Sequence, residues 1–123
     1  MNNRLIFESK RSFVVLSYAE GHGLLLLRSR KTTHNPTRVD ILFQDVRAME
    51  LRSWFESIAI EQVDIDYLKD FHSRPAQMIE HGNRVYSLKG HDWQGFIVGG
   101  IVAAKEDDGD FSAPSELLSP ARA

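Results

Sequence analysis

The clearest pattern along the chain lies between Phe13 and Leu51. Arg38 to Phe43 alternates strictly, with Val39, Ile41 and Phe43 on one face and Arg38, Asp40 and Leu42 on the other. Successive side chains of a strand point to opposite faces, so a period of two predicts a strand with one buried face. Phe13 to Tyr18 is rich in β-branched and aromatic residues and predicts a second strand. Four consecutive leucines, Leu24 to Leu27, would suit a helix by propensity. The segment is short and bounded by Gly23 and the polar Lys31-Thr32-Thr33, so a strand buried on both faces at its start is expected. Glu20-Gly21-His22-Gly23 supplies the hairpin loop between these two strands, because glycine reaches positive φ at little cost. Pro36 keeps the polar stretch from Lys31 to Thr37 out of a helix. Between Gln44 and Ala48 the apolar parity slips, which predicts a turn or sharp bend and a separate strand from Arg47 to Arg52.

The flanking segments extend the same plan. Arg4 to Glu8 predicts a short first strand, and Ile58 to Val63 another. Trp54 to Ser57 reads as a link whose aromatics cap one end of the core. Asp64 to His72 changes period: Ile65, Leu68 and Phe71 recur at helical spacing behind a candidate N-cap, Asp64. Gly82-Asn83 predicts a hairpin between 78–81 and 84–88. Trp93 to Lys105 predicts one long final strand, weakened at Gly95, Gly99 and Gly100, where a bend or a close backbone approach is expected. The expected fold is mainly β, an antiparallel β-sandwich or partly open barrel of about seven or eight strands with one short α-helix. It forms a single domain over residues 1–111, followed by an irregular, proline-containing tail over 112–123.

Composition narrows the function classes. In 123 residues, 42% are hydrophobic and 26% charged, which suits one globular core. A net charge of −2 argues against a dedicated nucleic-acid binder. There is no cysteine, so disulfides, thiolate catalysis and zinc–thiolate sites are excluded. No apolar stretch follows Met1 as a signal peptide would require, and Phe96 to Ala104 is far short of the ~20 residues that span a bilayer. A cytoplasmic protein without a membrane partner is expected.

Candidate chemistry is sparse, and no cofactor motif is present. The five histidines fall in loops or at element ends, and His72, His81 and His91 at successive turns form the candidate metal set. No pair has a dedicated ligand spacing. Glu106 to Asp110 lacks the alternating ligands of a calcium loop. Asp40 and Asp45, flanking Phe43, read as solvent-facing. Arg28, Arg30, Lys31 and Arg38 suggest either a single-strand nucleic-acid face or charges guarding an edge strand. Trp54, Phe55, Trp93 and Phe96 lie near strand ends, as interface anchors or as caps on the core. These residues point to a non-catalytic protein-interaction or assembly module, binding a protein partner or itself. In size and pattern, though not in motif, the chain is similar to small bacterial immunity proteins that neutralise toxins. The alternative is a small-molecule-binding β-barrel or a metal-dependent enzyme using the loop histidines.

Overall fold

The structure is a computed structural model that describes residues 3–72 and 82–118. Among the described residues ten strands are formed: β1 (Arg4–Ser9), β2 (Phe13–Ala19), β3 (Leu24–Ser29), β4 (Arg38–Phe43), β5 (Ala48–Glu50), β6 (Trp54–Phe55), β7 (Ile58–Val63), β8 (Arg84–Lys89), β9 (Gln94–Gly99) and β10 (Val102–Asp107). They make two antiparallel five-stranded sheets, the first ordered β1-β7-β8-β9-β5 and the second β10-β4-β3-β2-β6. Both are open sheets, packed as a sandwich. The inner faces share one core that includes Phe13, Leu25, Leu27, Ile41, Phe43, Phe55, Ile60, Tyr86, Leu88 and Ile97.

Two corners tie the sheets together. At one, β1 and its partner β7 leave the first sheet and continue as β2 and β6 in the second, with the Ser57 amide donating to the Arg11 carbonyl at 3.1 Å. At the other, β5 and β9 of the first sheet continue as β4 and β10 of the second. There the Gln44 amide donates to the Ile101 carbonyl at 2.9 Å, and the Gly100 amide donates to the Gln44 carbonyl at 2.8 Å. Each corner carries one non-glycine residue at positive φ, Ser57 at 88° and Asp45 at 56°. Strands that switch sheets need such bends.

The second corner explains where the expected final strand divides. Trp93 to Lys105 is two strands in different sheets, because the chain changes sheet at Gly100-Ile101. A β-carbon on Gly99 or Gly100 would lie 3.2 Å from the Asp45 or Gln44 carbonyl oxygen. Side chains there would require the corner to give by a few tenths of an ångström. The link expected at Trp54 to Ser57 contains strand β6, paired as Phe13↔Phe55 and Val14↔Trp54. The segment 78–81 of the expected hairpin lies outside the described residues.

The expected α-helix is a 3₁₀ turn, Ile65–Asp70, in which Asp64 makes no side-chain cap. Its amides bond three residues back: Tyr67 to Asp64 at 3.0 Å and, just beyond it, Phe71 to Leu68 at 3.2 Å. Leu68 and Phe71 both pack on Val85, Phe96 and Val98, on the outer face of the first sheet. Three residues per turn puts i and i+3 on one line, so the tighter helix lands both anchors, while six residues are too few to nucleate an α-helix in isolation.

Candidate functional site

The outer face of the second sheet carries the unusual chemistry. One row of side chains crosses all five strands: Trp54 on β6, Val14 on β2, Arg28 on β3, Asp40 on β4 and Lys105 on β10. Arg28 and Asp40 form a two-pronged ion pair, with Nε and Nη2 donating to the carboxylate oxygens at 2.6 and 3.0 Å. Next to it Arg38 of β4 pairs across the ladder with Asp107 of β10, at 2.6 Å. Arg28, Arg38 and Asp40 are all buried, at 2%, 2% and 1% exposed. The expectation that Asp40 faces solvent is therefore corrected. Nor do Arg28 and Arg38 guard an edge, since β3 and β4 are interior strands.

What buries them is the segment from Asp108 to Leu118, which leaves β10 and lies back across the sheet as a strap. The strap is held by its backbone. Arg28 donates to the carbonyls of Phe111 and Ala113, and Arg38 to those of Asp110, Ala113 and Pro114. Guanidinium forks suit this task because five donors in one plane can serve a carboxylate and several carbonyls together. Burial pulls the Arg38 pKa down, but the hydrogen bond and charge of Asp107, with the charge of Asp40, outweigh it and raise the value. Burial pushes the Asp107 carboxyl up, yet the bonds from Arg38 and the Gly109 amide hold it below the ordinary range.

The strap covers Arg28 and Asp40 but stops short of Val14 and Trp54, which leaves a cleft of about 420 Å³. Val14 and Arg28 line it, with Trp54 of β6 and Phe111 of the strap. Lys10, Arg11 and Ser12 enter from the β1–β2 corner, and Arg30, Thr32 and Asn35 from the β3–β4 loop. That loop is closed on itself: the amides of His34 and Asn35 donate to the Thr32 hydroxyl, and the Thr32 amide donates to the Asn35 carbonyl at 2.7 Å. Arg30 lies over the Phe111 ring, 5.2 Å from its centroid. Arg11 is occupied by Thr37 and by Glu106 at 3.2 Å. Neither a histidine nor a carboxylate lines the cleft, which presents cations, hydroxyls and flat rings.

A second feature lies at the other end of β2. β6 is only two residues long, and the last backbone bond on that side of β2 runs from the Val15 amide to the Ser53 carbonyl at 2.8 Å. From Leu16 to Ala19 the outer side of β2 has no strand partner among the described residues. Leu16 also lines an apolar groove of about 580 Å³ with Leu26, Phe111, Pro114 and Leu118.

The candidate interface residues divide. Trp54 is 49% exposed, whereas Phe55 and Phe96 are core residues at 0% and 1%. Trp93 is half-buried against Phe55, with ring centroids 4.7 Å apart. Of the candidate metal set, His72 and His91 are exposed and His81 lies outside the described residues. No group of three or more histidine, aspartate or glutamate side chains that could hold a metal converges among the described residues. No helix among them is long and apolar enough to cross a membrane. The cleft was half visible in the sequence, through Arg28, Arg30 and Trp54. Lys10, Arg11 and Phe111 were missed because the corner and the strap bring them in from distant parts of the chain.

Together the fold and these features define a small antiparallel β-sandwich with a strapped outer face, a basic cleft and an open strand edge among the described residues. Comparison of the chain with models of protein families, with curated proteins and with solved structures finds no match in any of the three.

Proposed function

We propose that this protein is a non-catalytic interaction module that accepts an extended segment of a partner protein along β2. The observation that carries the reading is the open edge from Leu16 to Ala19. Unpaired edges invite another chain, and proteins usually blunt them with charge, proline or shortness. The other edges here are blunted: β1 carries Arg4 and Glu8, β10 carries Lys105, Glu106 and Asp107, and β5 has three residues. The pairing of β2 with β3 shifts register between Val15 and Ser17, but the stretch Leu16-Ser17-Tyr18-Ala19 has neither charge nor proline, and Tyr18 is exposed beside it. An added strand gains main-chain hydrogen bonds from the edge, while its alternate side chains find the Leu16–Leu118 groove. A toxin-neutralising immunity protein is one module of this class, and self-assembly through the same edge is another.

Site-specific photocrosslinking in the cells that make the protein tests this. A photoreactive residue at Ser17 is expected to capture one defined partner, a second copy included. The same group at Glu8 is expected not to, and Ala19→Pro is expected to abolish the capture. Equal capture from Ser17 and Glu8, or capture insensitive to proline, overturns the reading.

A further inference from the structure

We propose that the Trp54 cleft is a binding site for a nucleoside phosphate. The site is separate from the β2 edge, at the opposite end of that strand. Three observations converge on this chemistry. The first is charge. Four of the eleven residues lining the cleft are cationic and none is acidic. Two of the four are compensated, Arg28 by Asp40 and Arg11 by Glu106. Lys10 and Arg30 have no carboxylate partner among the described residues, so the cleft keeps an excess of positive charge. The net charge of −2 is a sum over the whole chain and does not describe this wall.

The second observation is the pair of exposed rings. Trp54 and Phe111 are 49% and 40% exposed, on the β6 side and the strap side of the cleft. Both are positioned by the fold. Trp54 is paired to Val14 through β6, and the Phe111 carbonyl accepts from the buried Arg28. Arg30, with its guanidinium over the Phe111 ring, adds a second planar group beside that ring. Aromatic and guanidinium planes are the surfaces on which nucleobases stack, and phosphate is the anion that lysine and arginine take. The third is scale and polarity. A cleft of about 420 Å³ lies within the range of small-ligand sites, and Ser12, Thr32 and Asn35 at its rim can read a sugar or a base edge.

A free nucleotide and an exposed base of a single-stranded nucleic acid present the same chemistry, and the test separates them. Binding of adenosine 5′-monophosphate, a short single-stranded oligonucleotide, adenosine, inorganic phosphate and a polyglutamate peptide is measured by calorimetry at low salt. Saturable binding of a nucleotide form is expected, with phosphate and adenosine alone each weaker by about tenfold or more. Trp54→Ala and Lys10→Glu change exposed side chains and are expected to weaken binding by about tenfold each, with unaltered circular dichroism. An oligonucleotide at least about tenfold tighter than the mononucleotide identifies a single strand as the source, and equal affinities identify the free nucleotide. The proposal is overturned by folded protein that binds neither form, by binding that both substitutions leave unchanged, or by phosphate or polyglutamate binding as tightly as the nucleotide. The crosslinking at Ser17 is independent of each of these results.

Discussion

Arg28 and Asp40 face each other on adjacent interior strands, both side chains 1% exposed, and the strap rather than the sheet keeps water from them. Removing one partner leaves an uncompensated buried charge. Asp40→Ala is expected to lower stability by about 3–5 kcal/mol in denaturant melts. A single substitution costing under about 1 kcal/mol would mean that Arg28 is hydrated and the strap lies open in solution.

Gly109 is the point at which the strap passes Arg38. A β-carbon there would sit 2.5 Å from the guanidinium carbon. A surface arginine would swing away, but this one is pinned by Asp107 and three carbonyls. Gly109→Ala is expected to cost about 1–3 kcal/mol. Limited proteolysis should then cut first within 110–118. An unchanged digestion pattern would contradict the pinned geometry.

Acid should loosen the same face. The Asp107 carboxyl titrates below its ordinary 3.8, so its contribution is present above that value and is lost as pH falls through the folded one. Asp107→Asn should therefore flatten the acid limb of a stability–pH curve below about pH 4. An acid limb identical in the two proteins would show that the loss comes from other carboxylates.

Alkali acts on the opposite face. Burial pushes the Tyr67 hydroxyl up to about 12, with the charges of Asp70, Glu50 and Glu61 adding to it, and the hydroxyl donates to the Gly95 carbonyl at 2.9 Å. The folded value exceeds the unfolded one, so this contribution is whole below the ordinary value of 10.0 and is lost as pH rises toward about 12. Tyr67→Phe should start about 1 kcal/mol less stable and decline less between these limits, as read by thermal melts. A parallel decline would exclude the phenol as its source.

Two positive-φ positions, Ser57 at a corner and Gly23 in the β2–β3 loop, should both favour glycine. Ser57 holds φ at 88°, which strains a side-chain-bearing residue, so Ser57→Gly is expected to be neutral or to raise the melting temperature. Gly23, at φ +59°, lies where a β-carbon would meet the Val46 amide nitrogen at 2.6 Å. Gly23→Ala is expected to destabilise by about 1–3 kcal/mol. The reverse order in melting temperatures would refute these two backbone conformations.

How much of this was legible depends on the range of the interactions. The alternation at Arg38 to Phe43 correctly placed Val39, Ile41 and Phe43 in the core, because one strand's periodicity reports its own faces. The same pattern put Arg38 and Asp40 on the outer face, which is right, but could not show that the face is covered. The cover arrives from a segment whose carbonyls lie 72 to 76 residues beyond Arg38. Trp54 and Phe55 are neighbours on a strand, so one had to point inward. Which one does was set by parity at Glu56-Ser57, where the positive φ of Ser57 breaks the count. The 3₁₀ turn was misjudged for a related reason: Leu68 and Phe71 fit either helix, and the sheet beneath them selects the tighter one.

The corners bear on how the chain acquires its shape. Each is one continuous ladder whose halves belong to different sheets, so neither sheet can be completed while the other is absent. Contacts are correspondingly remote in sequence, which favours slow, all-or-none folding over piecewise assembly. Location of a chain break should then matter more than the number of contacts it severs. New termini opened between Thr32 and Thr37, in a loop joining adjacent strands, leave both ladders whole. New termini opened at Arg52-Ser53, between β5 and β6, with the native ends joined, lengthen the closure of both corners, whereas those between Thr32 and Thr37 lengthen only the Arg11–Ser57 one.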